Sequence, residues 1–412
     1  MRALAVLRFA VVVFGSLAAA PAVFAEDWPE FRGPTGQGHS TETGLPLNWS
    51  DTQNVRWKTA VPGRGWSSPV VVNGRVWLTT AAKDGSASVL RALAYDAATG
   101  KEVVNAEVFS LANAGAMHAK NSHASPTPLV EDQRVYVHFG NHGTAALDWQ
   151  GKVLWKRQIP YQPVHGTGGS PVLHGDLLIY SADGGDVQFV AALEKRSGEI
   201  RWKSARPRPG NMAFSTPLVI EAGGRKQVVS TGAHRAISYE PETGKEIWRV
   251  EYGDGFSNVP RPVFGHGLVY LLSGFYTPQL MAVRPGGKGN VTQTEVAWQT
   301  TRSTPLTPSP LLVGDELYMI SDNGIASCLD AKTGKLNWQQ RLGGNHSASP
   351  IYADSRIYFL SEEGDATVIA PGKTFQKLAT NSMNAQTFAS IAVSGGSFYI
   401  RTAEHLYRIG GR

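Results

Sequence analysis

The chain has 412 residues, 42% hydrophobic and 17% charged, with no low-complexity tract, which suits a globular protein and excludes a disordered one. The formal net charge is +6, but the basic residues are scattered among acidic ones, so nothing marks a nucleic-acid groove. Cys328 is the single cysteine, which excludes an internal disulfide and leaves the fold to its core; the thiol is expected to pack as a small apolar group in a strand.

The chain opens as an export signal. Arg2 and Arg8 give a positive start, Phe9 to Ala20 is apolar, and Val23-Phe24-Ala25 offers small residues where signal peptidase reads. Residues 1–25 are expected to be removed, so that the mature chain begins at Glu26 and acts in the periplasm or is secreted. The apolar run falls short of the roughly 20 residues a membrane span needs, and no later stretch supplies one. No cysteine follows the cleavage point, so no lipid anchor is expected there. Residues 26–53 read as an N-terminal extension, and residues 54–412 as one repeat-built domain. Asn54-Val55-Arg56-Trp57-Lys58 has the pattern of the last strand of a repeat.

The repeat itself follows. Residues 68 to 77 read SPVVVNGRVW, residues 127 to 136 TPLVEDQRVY, residues 170 to 180 SPVLHGDLLIY and residues 349 to 359 SPIYADSRIYF. Each is a Ser/Thr-Pro step, an apolar strand, a turn and a second apolar strand. Further starts fall at Thr216-Pro217, Arg261-Pro262, Ser309-Pro310 and, without proline, Ser390-Ile391. Eight starts every 40 to 60 residues fit four-stranded propeller blades. The second half of each unit repeats as well: ALDWQGKVLW at 146 to 155, ALEKRSGEIRW at 192 to 202, SYEPETGKEIW at 238 to 248 and CLDAKTGKLNW at 328 to 338. An acidic residue begins a turn whose glycine can take positive φ, and the strand after it ends on tryptophan. The first unit keeps the turn, Asp96 to Lys101, but has no tryptophan. The fifth reaches Trp298 through a longer glycine-rich loop, and the seventh is degenerate at 370 to 377. The last unit stops without its final strand. The expected fold is therefore all-β: an eight-bladed β-propeller of four-stranded antiparallel blades, closed by an N-terminal strand that completes the last blade.

This motif resembles the tryptophan-docking motif of the PQQ-type β-propeller repeat family, which holds quinoprotein dehydrogenases and the outer-membrane assembly factors of the BamB type. Trp28-Pro29-Glu30-Phe31-Arg32-Gly33 looks like the start of exported members of that group. The resemblance implies that Trp57, Trp155, Trp202, Trp248, Trp298 and Trp338 are packing residues that lock blade to blade.

Two function classes compete. A quinoprotein dehydrogenase would hold PQQ and a Ca²⁺ ion on the axis, with an aspartate base and usually paired cysteines. One cysteine cannot form that pair, and no aspartate or Asn/Glu set carries over. Asp183-Gly184-Gly185-Asp186 reads as a tight surface turn, since calcium loops need more oxygen ligands at set spacing. No nucleophile elbow or zinc-protease helix is present. The expectation is a non-catalytic, monomeric binding or scaffold propeller that meets a protein partner or small ligand, with no cofactor and no resident metal; a PQQ-dependent dehydrogenase, or another enzyme with a site at the channel mouth, is the alternative. The inner strand of each blade begins near its Ser/Thr-Pro step, so residues just before it should surround one mouth of the channel. These are Asn121, His123, His165, Thr167, Asn211, Ser303, Asn345 and His346. If His123, His165 and His346 shared one pocket, they could hold a metal or an anion; otherwise they satisfy backbone groups.

Overall fold

Repeated apolar runs separated by tight turns fold here into eight antiparallel sheets, each starting at the axis. The computed structural model describes residues 25–206, 210–276 and 278–411; the signal-peptide reading, residues 1–25, lies outside them except for Ala25. Blade 1 runs from Val70–Val72 through Arg75–Asp84 and Ala87–Asp96 to Glu102–Leu111. Six blades of the same order follow, with inner strands Leu129–Glu131, Val172–His174, Leu218–Ala222, Val263–Gly265, Leu311–Val313 and Ile351–Ala353. Blade 8 uses Ala392–Ser394, Ser397–Arg401 and His405–Gly410, and its outer strand is Val55–Ala60. Val55–Ala60 runs antiparallel to His405–Gly410, with Lys58 opposite Tyr407. The first strand thus closes the ring and covers an edge that would otherwise template aggregation. Blade 4 departs from four strands. The glycine-rich insertion of blade 5 lays Gly289–Asn290 parallel to Glu246–Glu251 as a fifth. Among the described residues the one helix is a single 3₁₀ turn, Gly140–His142, and none is long and apolar enough to cross a membrane.

The tryptophans set the seams between blades. The indole N–H of Trp57 donates to the carbonyl of Ala97 (3.0 Å), that of Trp155 to Lys195 (3.1 Å), Trp202 to Pro241 (2.8 Å), Trp298 to Ala331 (3.0 Å) and Trp338 to Gly372 (3.0 Å). Each acceptor lies in the turn of the next blade. The ring also explains the turn glycine: a Cβ at Gly198 or Gly334 would stand 2.5 Å from the ring of Trp155 or Trp298. These glycines hold φ near +70° as well, so two constraints coincide at one atom. Trp248 differs. It is fully buried and donates within its own blade, to the Gln227 side chain (2.8 Å), because the next blade replaces the turn with its insertion. In blade 1, Val104 takes the tryptophan position and packs on Gly151. At the last seam Trp49, from the N-terminal extension, fills the space between Tyr358 of blade 7 and Phe398 of blade 8.

The rest of the extension lies across the far end of the channel, where the inner strands finish. Trp28 exchanges backbone hydrogen bonds with Val71 of blade 1, and Val130 of blade 2 donates to Pro29. Gln37 accepts from the Phe264 amide of blade 5, His39 bonds the Leu312 carbonyl of blade 6, and Ser40 donates to Tyr352 of blade 7. Glu42 accepts both amides of the blade 8 turn, Gly395 and Gly396. One short segment therefore touches six blades and stoppers the channel.

Candidate functional site

The Ser/Thr of each Ser/Thr-Pro step faces the axis, and its hydroxyl oxygen accepts the backbone N–H of the equivalent residue one blade back. Ser68 donates to Thr127, Thr127 to Ser170 and Ser170 to Thr216, at 2.9–3.0 Å. Ser309 donates to Ser349, Ser349 to Ser390 and Ser390 back to Ser68, at 2.9–3.1 Å. The circle breaks once, at blade 5, where Arg261 stands in place of the hydroxyl. Its amide still donates to Ser309 (2.9 Å), but its guanidinium turns to the Pro217 and Phe31 carbonyls (3.0 and 2.7 Å) and pairs with Glu30 (3.3 Å). The stopper is thus pinned at the one gap in the ring. Burial raises the Glu30 pKa against the opposing pull of Arg261. Arg32, 1% exposed, donates to the Pro350 carbonyl, and burial, then the charge of Arg261, lowers its pKa to about 9.

Above the stopper lies a cup of ≈ 740 Å³ floored by Phe31. Strand alternation builds its wall. The residue two before each ring position also faces inward: Trp66, Ser125, Gly168, Phe214, Val259, Thr307, Ser347 and Phe388. Trp66 and Phe388, from the seam of blades 1 and 8, pack at 4.5 Å between ring centroids. Phe214, Phe256 and Phe275 line the side of blades 4 and 5, across the axis. The loop after blade 1 leans over the mouth. Its His118 amide and Asn121 side chain both donate to the His165 carbonyl (3.2 and 2.7 Å), and Lys120 crosses to Glu362 of blade 7 at 2.8 Å.

Of the mouth residues expected from sequence, Asn121 and His165 line the cup and the other six do not. His123 is buried against His142, its pKa held down by burial and by Lys83. Thr167 lies over Gly140 beside the Tyr161 hydroxyl. The Asn211 side-chain amide donates to His234 (2.9 Å), Ser303 accepts from Gln339 (2.8 Å) and Asn345 donates to Glu363. His346 is buried, with both ring nitrogens against carbonyls, Leu360 and Gly343, each at 3.1 Å. The three histidines therefore share no pocket, and among the described residues no group of three or more His, Cys, Asp or Glu side chains is arranged for a metal ion. The turn at 183 to 186 also differs from the surface turn expected. Asp186 is exposed and caps it, accepting from the Gln162 and Val187 amides, but Asp183 is buried opposite Arg206 at 3.4 Å. Burial outweighs that arginine and lifts the Asp183 carboxyl to about 6.

The cup residues absent from the sequence reading include the aromatics, the wall residues Ser125, Gly168, Val259, Thr307 and Ser347, and His118, Lys120 and Asp322. Period-two counting back from each Ser/Thr-Pro step would have found Trp66, Phe214 and Phe388; the reading placed the mouth a few residues too far upstream. Nothing local announces Lys120, whose partner is 242 residues away.

Known proteins share this architecture. The family model for the outer membrane protein assembly factor BamB matches residues 41–163, 89–216 and 186–409 in overlapping segments. BamB of Shewanella oneidensis is 26% identical over 254 residues, 59% of this chain and 60% of that protein. BamB of Burkholderia pseudomallei is 26% identical over 244 residues, 54% of this chain and 56% of that protein. The chain thus spans about three-fifths of the length of the curated relatives it matches. The crystal structure of BamB from Moraxella catarrhalis superposes with a TM-score of 0.59 at 15% identity, covering 86% of this chain and 99% of that one, which shows the shared fold. With the family model extending across nearly all eight blades, the chain belongs to the BamB family of β-propellers.

Proposed function

We propose that this chain is an exported, monomeric, non-catalytic propeller that binds a partner polypeptide outside the cytoplasm. The relatives are named for outer-membrane protein assembly, and partner binding is the part of that role proposed here. The observation that carries it is the apolar surface of the mouth face. Tyr276 and Phe275, in one turn of blade 5, are 74% and 48% exposed and cluster with Phe256, while Val164 and Val187 stand exposed on blade 3. Large apolar groups gathered on the loops of one face mark interaction surfaces, and aromatic residues dominate their binding energy.

The dehydrogenase alternative needs a site for a planar tricarboxylate and a cation. Lys120, the lysine lining the cup, is already paired with Glu362, and no metal-holding cluster faces the axis among the described residues. These residues do not fit that pair. A photo-crosslinking amino acid at Tyr276, expressed in the native host, should give one discrete polypeptide adduct, and the same group at Arg196 on the opposite face should give none. Stoichiometric PQQ binding with alcohol-dependent dye reduction would overturn the proposal.

A further inference from the structure

We propose that the axial cup is a binding site for a short, neutral oligosaccharide. The hydroxyl ring is the first ground. Seven side-chain hydroxyls, Ser68, Thr127, Ser170, Thr216, Ser309, Ser349 and Ser390, converge on the axis, and each oxygen already accepts an N–H from the neighbouring blade. What each has left to offer is its proton, because a hydroxyl carries one donor beside its lone pairs. Among the described residues none of the seven donates to a protein acceptor. In the wall Thr307 adds a further hydroxyl, while those of Ser125 and Ser347 already donate to Asn121 and Glu362. The cup is closed beneath by Phe31, so this is a bowl with a floor and not a pore.

Charge selects among ligands that bring acceptors. Lys120 is neutralised by Glu362, which also accepts from Ser347 at 2.6 Å, and Asp322 adds a carboxylate to the wall. An anion would meet no unbalanced positive charge here and would face Asp322 directly, so the site favours a neutral partner. The aromatic residues select shape. Trp66 and Phe388 form one wall, and Phe214, Phe256 and Phe275 the opposite one, with the hydroxyls between and below. A pyranose matches that division, with C–H-rich faces for the two aromatic walls and a hydroxyl edge that both accepts and donates. A polypeptide tail would bring, with each carbonyl acceptor, an amide donor, which the hydroxyl oxygens, already accepting, would have to share. The volume, ≈ 740 Å³, lies inside the range of pockets that enclose small ligands.

The test uses the purified full chain and isothermal titration with maltotriose, cellotriose and tri-N-acetylchitotriose, beside trigalacturonate and a hexapeptide capped at both ends. At least one neutral trisaccharide should bind saturably with Kd below about 1 mM. Trp66→Ala should weaken it tenfold or more. Thr307→Val, which keeps the shape of a side chain at the cup wall and removes its hydroxyl, should weaken it about two- to tenfold with an unchanged melting temperature. Should Trp66→Ala fail to fold, Thr307→Val decides. The inference is overturned by no saturable trisaccharide binding, by tighter binding of trigalacturonate or the peptide, or by wild-type affinity in the folded variants. Any of these leaves the cross-link expected at Tyr276 untouched, so the two readings fail separately.

Discussion

The tryptophan seams and the axial cup are built from the same repeats by opposite rules. At the seams one arrangement recurs: indole over glycine, indole N–H on the carbonyl of the next blade, as at Trp155 and Gly198 or Trp298 and Gly334. In the cup the backbone repeats and the side chains do not. The same inward position holds Trp66, Ser125, Gly168, Phe214, Val259, Thr307, Ser347 and Phe388 in turn. A repeat protein gains stability from interfaces between like units, so substitutions at the seams meet a common cost. The axis carries no such constraint once its hydroxyl ring is satisfied, and it can diversify. Where the seams do vary, the chain compensates locally: Val104 stands in at one, Trp49 is brought from outside the repeats at another, and Gln227 accepts the Trp248 indole N–H at a third.

Four measurements would break or sharpen that contrast. Arg261→Ala should cost most, about 4 kcal/mol by denaturant unfolding, because it leaves Glu30 buried without its cation and releases the stopper from the ring. A loss under about 1 kcal/mol would mean that the gap in the ring is not an anchor. Gly334→Ala should cost about 3 kcal/mol, from overpacking against Trp298 and from positive φ together. A neutral result would remove the close approach as the reason for glycine in the repeat.

The third measurement is a pH series on the buried Asp183, opposite Arg206. Its folded pKa is raised from 3.8 to about 6, so the folded state holds the proton more tightly than the unfolded chain. Stability from this group is therefore full below about 4 and is lost as pH rises through about 6. Asp183→Asn should gain on the wild type across that window in thermal unfolding; the opposite slope would show that Arg206 dominates the carboxyl. Smallest of all, Tyr276→Ala should change stability by no more than about 0.5 kcal/mol, since the ring is mostly solvent-exposed, while removing the proposed partner contact. A large drop would place that aromatic turn with the seams and not with the binding face.

The same contrast explains what could be read from sequence. Blade count, strand order and the split last blade follow from local signals, because each repeat declares its own strands and turns. The glycine in each turn was legible as a positive-φ position, but its second constraint comes from a tryptophan in the preceding blade. The cup was half legible. Its residues obey strand alternation, so Trp66 and Phe388 sit at a countable offset from their Ser/Thr steps. Lys120 with Glu362, and Arg261 with Glu30, join residues remote in the chain, and no periodicity connects them. His346 shows the converse: adjacent in sequence to a mouth position, it is turned into the seam of blades 6 and 7, where two carbonyls occupy its nitrogens.

The way the extension is stitched into the ring orders events in time. Val55–Ala60 can find its partner only when His405–Gly410 exists, and Glu42 waits for Gly395 and Gly396. A chain made from its N-terminus must therefore keep Trp49, which packs between Tyr358 and Phe398, and the pairing edge of Val55–Ala60 unsatisfied until the last blades exist. Contacts this remote in sequence are slow to form and leave strand edges exposed meanwhile. Closure of the ring should be limited by one late event, the locking of Trp49 and Val55–Ala60 onto blades 7 and 8, and any factor that shields these residues meanwhile should raise the yield of closed rings.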